Sequence, residues 1–266
     1  MAKLNGIINF SGSLGDLSAY TMRGVDKVII RKKGGASRDK IKNSPAFERT
    51  RENNAEWGGC SKAGTHIRVA LSALRQLADY NISGSLNSLA KAIQKLDTNS
   101  KRGQRSILIS AHKHSLEGFS LNKKTRFEGV VRQPLTYSIS RDDISARVQV
   151  PDLIPSLNFF APPGSPVFFR IIATLGIVPD MVFTGLGYQP ANKNMKLCHE
   201  SAVTAWAPTT KGSASQILEI KLTPNSGLDP SGTLVLSVGF ELGIPAVGGT
   251  VTPIPYMGCA KILAVN

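Results

Sequence analysis

The chain has 266 residues, 41% of them hydrophobic and 19% charged, and carries 25 glycines and 15 prolines. That is enough to build one large domain or two small ones around a real core, with the many turns of a β-rich architecture. The formal net charge is +14, and three cysteines, Cys60, Cys198 and Cys259, are too few and too scattered for a disulfide framework.

The charge is unevenly placed. Residues 1–133 hold 24 basic and 10 acidic side chains, whereas 134–266 hold eight of each. A basic module joined to a neutral one follows, with a polyanion or an acidic protein surface as the expected partner of the first, and a plain solvated basic surface as the alternative. The sparse thiols suit a reducing compartment. The start, MAKLNGIINF, lacks the apolar run of a signal peptide, and the longest apolar stretch, PVFFRIIATLGIVP, holds an Arg and is too short to span a bilayer. The expectation is cytoplasmic synthesis without a signal peptide and without a membrane span, the final location being open among the cytoplasm, a virion-like particle and an exported assembly.

Residues 1–20 mix glycines with Leu4, Ile7, Ile8, Phe10, Leu14, Leu17 and Tyr20. Gly6, Gly12 and Gly15 argue against a helix, so an extended arm is expected, one that needs its own body or a neighbour to cover its apolar side chains. Residues 19–33 read as a hairpin turning at Arg23-Gly24-Val25-Asp26, with Val28, Ile29 and Ile30 in the second strand. Lys27, Arg31, Lys32 and Lys33 sit on that strand and its end, and Arg38, Lys40 and Lys42 follow in a loop. One reading is a basic ribbon for phosphates or acidic patches; the other is a set of lysines guarding a sheet edge.

Ser44-Pro45 predicts a helix start, followed by Phe47, Arg51, Asn54 and Trp57 at helical spacing, and Gly58-Gly59 predicts a weakening or a break. Ile67, Ala70, Leu71, Leu74, Leu77 and Ala78 continue a helical pattern. After a turn at 81–85, Ser85 is placed to cap a helix with Leu86, Leu89, Ile93 and Leu96 on one face and Lys91 and Lys95 exposed. The polar run 100–105 is taken as a boundary between a basic arm, hairpin and helical region, 1–105, and a β-sandwich domain, 106–266. Beyond it, SILIS, TYSIS, SARVQV, VFFRIIATL, QILEIKL, TLVLSVGFEL and KILAV read as strands separated by Pro, Gly, Asn and Asp clusters. Two long loops, 155–166 and 224–232, are candidate contact surfaces.

Catalytic and cofactor motifs are missing. Around Gly59-Cys60-Ser61-Lys62 the lysine is misplaced for a phosphate loop and the second glycine of a nucleophile elbow is lacking. Gly185 and Gly187 open a dinucleotide-like pattern that Pro190 breaks. His112 and His114 would share a face if their segment were a strand, a weak metal signal beside Lys113. Cys198 and His199 are sequence neighbours and so point apart on a strand. Trp57 and Trp206 read as buried anchors. No catalytic residue, metal or cofactor is expected.

The first 60 residues resemble an uncharacterised bacterial domain family. The shared features are Gly12-x-x-Gly15-Asp16, Tyr20-x-x-Arg23-Gly24, Val28-x-x-Arg31, and Ser44-Pro45 leading into a helix with Arg49 or Arg51. Similar layouts occur in phage-derived structural proteins, and the resemblance implies a non-enzymatic role. The sequence thus predicts an α+β chain, an arm, hairpin and helices followed by a mainly antiparallel β-sandwich. Its expected function is that of a structural subunit assembling with itself into a filament, ring or shell. The expected contacts, to itself or to a polyanion, are Phe10, Leu14, Leu17, Tyr20, Arg23 and Lys27, together with Arg31, Lys32, Lys33, Arg38 and Lys40. A nucleic-acid-binding module built on the basic half, and a glycan-binding sandwich with loops near Trp206, are the alternatives.

Overall fold

The computed structural model describes residues 2–3, 10–22, 25–162, 164, 167–195, 197–223 and 228–266. The chain is α+β, and its contacts divide it into two compact units, Met1–Arg51 and Glu52–Asn266. This division lies well before the boundary expected at 100–105. The helices that follow Glu52 share one core with strands of the C-terminal half and belong to the same unit.

The first unit holds a four-stranded antiparallel sheet of β1 (Ala2–Lys3), β2 (Gly12–Leu14), β3 (Leu17–Met22) and β4 (Val25–Lys32), in the order β1-β4-β3-β2. Part of the expected arm is therefore sheet. Leu14 pairs with Leu17 across a two-residue turn in which Gly15 has φ +52°, a setting that glycine adopts without steric cost. β3 and β4 are the expected hairpin, whose turn at Arg23 and Gly24 lies outside the described residues. The helix α1 (Arg38–Asn43) replaces the expected loop. Its start is capped by Ser37 Oγ, which accepts the Lys40 N–H at 3.2 Å, and at its other end Arg51 donates to the carbonyls of Ile41, in the last turn, and Ser44, just past it.

The helix α2 (Glu48–Ala70) grows out of a 3-10 turn at Pro45–Phe47, where Pro45 fits the first turn but Ser44 makes no side-chain cap. It runs for 23 residues through Gly58 and Gly59, so the expected break is absent. The reason is packing: a Cβ on Gly59 would lie 2.6 Å from the Tyr188 ring, so the glycine admits that ring against the helix. A 3-10 stretch, Ser72–Leu77, leads on to α3 (Ser83–Lys95), which starts two residues before the expected Ser85, with Asn81 Oδ1 accepting the Ser83 N–H.

Among the described residues the rest of the second unit holds a small helix, α4 (Phe127–Val130), and ten strands: β5 (Thr136–Ser140), β6 (Ser145–Val150), β7 (Phe168–Pro179), β8 (Met181–Phe183), β9 (Tyr188–Pro190), β10 (His199–Val203), β11 (Ala207–Pro208), β12 (Gln216–Lys221), β13 (Gly232–Pro245) and β14 (Val251–Val265). The SILIS segment, expected as a strand, makes only an isolated bridge from Ile107 to Met181. The central sheet runs β10-β7-β13-β14, with β11 also paired to β7; a smaller sheet runs β12-β6-β5, and β8 pairs with β9.

Alternation along β7 and β13 builds three layers. Phe169, Ile171, Ala173, Leu175 and Ile177, with Leu234, Leu236, Val238, Phe240 and Leu242, face the small sheet, meeting Val148, Val150, Leu218 and Ile220. The Phe169 ring stacks on those of Phe159 and Phe240 in this layer, while the latter two are tilted to each other, with centroids 4.4 to 5.7 Å apart. The opposite face, through Ile172, Val178, Val235, Ala260 and Ile262, packs on Leu71, Leu74, Leu77, Leu86 and Ile93 from the helical layer. Small residues let the helical layer approach: a Cβ on Gly176 would meet Ala70 Cα at 2.6 Å, and one on Gly239 would meet Leu74 at 2.6 Å. Coverage on both faces explains why β7 and β13 read as continuous apolar runs.

Candidate functional site

The residues singled out near the N-terminus gather on the sheet and helix of the first unit. Opposed residues in an antiparallel pair share a face. Leu14, Leu17, Ala19, Ile30 and Lys32 therefore lie on one face, and Ser18, Tyr20, Ile29 and Arg31 on the other. The expected basic ribbon is not one-sided, since Lys32 and Arg31 point to opposite faces. Lys33 is taken up locally: its ammonium donates to the Gly15 carbonyl at 2.8 Å and its N–H to that of Asp16. The Arg31 guanidinium stands 5.4 Å from the Tyr20 ring centroid, a cation–π distance. Lys27, Lys32, Arg38 and Lys40 are exposed and make no side-chain contact with a partner among the described residues. Phe10 is half-buried, and Arg23 lies outside the described residues.

The apolar side of this sheet is incompletely covered. Ala19 and Val28 are buried on the face of the leucines and Ile29 on the other, but the first stripe runs out to Leu14, 64% exposed, and Leu17, 40% exposed. Of this cross-strand pair, Leu14 sits on β2, an edge of the sheet, and Leu17 on the neighbouring β3.

In the second unit the strongest electrostatic feature is one that sequence reading missed. Glu56 has no solvent exposure. Its Oε1 accepts from the Gly103 N–H at 2.9 Å and Arg105 Nε at 2.7 Å; its Oε2 accepts from Arg105 Nη2 at 2.7 Å and from Lys91 Nζ. Lys91, expected on an open face, is thus turned into this cluster. Gln94 bridges onward, accepting from Lys91 and from the Cys60 thiol, and donating to the Arg105 carbonyl and the Tyr188 hydroxyl oxygen. Burial alone would push the Glu56 carboxyl up; the hydrogen bonds of Arg105, Lys91 and Gly103 and the charge of Lys91 outweigh it and hold the group at about 2. Every oxygen is satisfied, which makes the cluster a clamp holding 103–105 to α2 and α3. Its sequence signal is an acid on the stripe Glu56, Cys60, Ala63, Ile67, Ala70, which is otherwise apolar.

A second buried acid, Glu241, accepts from Arg170 Nε and Nη2 at 2.6 Å and from Gln76 Nε2 at 2.7 Å. The same Arg170 guanidinium stands 4.5 Å from the Trp206 ring, whose edge faces Gly243. Trp206 is thereby engaged in packing, and Trp57 is about half exposed, at 48%, rather than buried as expected.

The other sequence candidates do not come together. His112 precedes a 3-10 turn, Lys113–Ser115, so the strand geometry that would have paired it with His114 is absent. His114 Nδ1 lies 3.1 Å from Glu117 Oε2. Among the described residues no group of three or more His, Cys, Asp or Glu could hold a metal ion. Cys198 packs against the core beside β7, and burial, with the nearby Glu200 charge, pushes its thiol up. Burial likewise raises Cys60 to about 11 and Cys259 to about 12, so all three thiols are held protonated at neutral pH. Among the described residues no helix is long and apolar enough to cross a membrane.

One further surface stands out. From Ile244 to Met257 the β13–β14 hairpin carries no charged residue. Val247 is 99% and Tyr256 73% exposed, and Ile244 and Met257 are also open. Between the pairs Glu241–Gly258 and Gly243–Pro253 the register slips, and the extra residues of β14 bulge out, with Tyr256 at φ +63°.

Comparison of the chain with protein-family models, with curated proteins and with solved structures finds no match.

Proposed function

We propose that the chain is a non-enzymatic structural subunit that assembles with its own copies through the N-terminal sheet. The observation that carries this reading is the open cross-strand leucine pair, Leu14 on the edge strand β2 and Leu17 on its neighbour β3, in a sheet whose buried apolar residues, among those described, are Ala19, Val28 and Ile29. Small sheets need a covered apolar face to be stable, and an edge strand offers unpaired backbone groups to a second chain. The uncharged hairpin at 244–257 is a second apolar surface, and two unlike patches on one subunit allow head-to-tail growth into a ring or filament. The resemblance of the first 60 residues to a domain family with phage-structural-protein-like layout points the same way.

The test is light scattering of the eluting protein, over a range of concentrations, for the native chain and for the double variant Leu14→Glu, Leu17→Glu. The native chain elutes at a multiple of 28.5 kDa and the variant at 28.5 kDa with an unchanged circular-dichroism spectrum. A native chain that stays monomeric, or a variant that keeps its assembled mass, defeats the proposal.

A second reading, binding to nucleic-acid backbones, rests on Met1–Arg51 carrying eleven Lys and Arg against four Asp and Glu, with Lys27, Lys32, Arg38 and Lys40 exposed. Such binding would be sequence-independent and would weaken steeply with salt. Fluorescence anisotropy with a labelled oligonucleotide at low salt decides it, and absence of binding there removes it.

A further inference from the structure

We infer that the second unit binds a neutral saccharide in the cleft beside Tyr256. The cleft holds about 350 Å³, within the roughly 300–1,000 Å³ of small-molecule sites. Its apolar lining includes Tyr256, Met257 and Pro162, and its polar lining Asp79, Lys124 and Thr125.

The argument starts from the backbone. Tyr256 has φ +63°, a strained setting for a bulky residue, and two residues on Gly258 has φ +155°. A Cβ on Gly258 would lie 2.2 Å from the Phe240 carbonyl oxygen, so only glycine fits there. The bulge is also tied to the helical layer. The buried Asn122 carboxamide donates to the carbonyls of Leu77 at 2.7 Å and Gly258 at 3.2 Å, and accepts the Ala260 N–H at 2.9 Å. The strain at Tyr256 is not offset by burying its ring, which stays exposed. A strained residue that gains no packing in return calls for another role. Holding an aromatic ring open at a cleft is such a role.

The polar lining then selects the ligand. Asp79 is fixed by main-chain donors: the Lys123 N–H lies 2.9 Å from its Oδ1 and 3.0 Å from its Oδ2, and the Lys124 N–H lies 2.8 Å from Oδ2. Oδ1 keeps a lone pair for a further donor. The Lys124 ammonium and the Thr125 hydroxyl have no partner among the described residues. Lys123 is drawn aside, its ammonium 4.6 Å from the Tyr80 ring centroid. One carboxylate and one ammonium thus share the lining, and net charge favours neither a cation nor an anion. Hydrogen-bonding groups of both kinds beside an open aromatic ring suit a ligand with hydroxyls on its edge and C–H groups on its faces, which is a pyranose. Trp206, where the sequence placed such a site, is already engaged by Arg170. The inference goes beyond the assembly proposal but shares the 244–257 hairpin with it, so the experiment reads both properties.

The experiment applies the labelled chain to an array of immobilised neutral and acidic oligosaccharides, then titrates a neutral oligosaccharide that binds by calorimetry. The native chain should bind at least one neutral oligosaccharide. Tyr256→Gly should weaken that binding about tenfold or more, yet unfold at the same or a higher temperature, because it removes ring and strain together. Tyr256→Phe should retain binding, and Thr125→Val should weaken it. The Leu14→Glu, Leu17→Glu variant should bind as the native chain does in calorimetry, whatever its mass in light scattering. Binding to no neutral oligosaccharide, or binding that survives Tyr256→Gly, would overturn the inference. So would loss of assembled mass in Tyr256→Gly with no saccharide bound, which would give the ring to a contact between copies.

Discussion

Glu56 shows how much one misplaced-looking side chain can organise. A carboxylate on the apolar stripe of a helix is costly unless each oxygen finds donors, and Arg105, Lys91 and Gly103 supply them. Glu56→Gln keeps the shape but leaves two cations without their counter-charge, and unfolding in urea should show a loss of about 3 kcal/mol. The pH dependence has a definite sign. The folded carboxyl is held below its ordinary value of 4.5, at about 2, so its contribution is fully present above pH 4.5 and is lost as pH falls toward 2. The variant should therefore lie closer to the native protein in stability at pH 2 than at pH 6. The thiols make a second residue-scale prediction. Cys60 and Cys259 are fully buried, so a thiol reagent should modify the half-buried Cys198 first and leave the other two until the chain unfolds.

At the scale of elements, the adjacent glycines of α2 separate propensity from packing. By helix propensity either one replaced by Ala should gain up to about 1 kcal/mol. Gly58 has open space around its would-be Cβ, and Gly58→Ala should show that gain in thermal unfolding. A Cβ on Gly59 would sit 2.6 Å from the Tyr188 ring, and overpacking of this kind costs about 1–3 kcal/mol, which outweighs the propensity term, so Gly59→Ala should destabilise. The same pair explains what was legible in the chain and what was not. The strands β5, β6, β7, β12 and β13, and the last five residues of β14, were legible because alternating or unbroken apolar runs are bounded by turn residues. The break at Gly58-Gly59 was misread because the residue that needs the glycine, Tyr188, is 129 positions away in the sequence. SILIS was misread as a strand for a related reason: its Ile107 and Ile109 are buried, but against the helical layer and without strand partners beyond one bridge. The His112–His114 geometry failed with it. In the basic segment, the residues of the hairpin were legible but their distribution over two faces was not, because that depends on register.

At the scale of the whole molecule, the two units carry different kinds of surface. Met1–Arg51 combines an excess of cations with an open leucine pair, while Glu52–Asn266 is a three-layer body with a wide core and one uncharged, protruding hairpin. The assembly account uses both apolar surfaces, so charge in the hairpin should act like charge at the leucine pair: Val247→Asp should reduce the assembled mass in light scattering without changing the circular-dichroism spectrum, since Val247 is 99% exposed. The account is tested most directly by negative-stain electron microscopy of the purified native chain. It predicts rings, filaments or shell fragments with a regular subunit repeat. A field of single particles no larger than one 28.5 kDa chain, at every concentration, would contradict it.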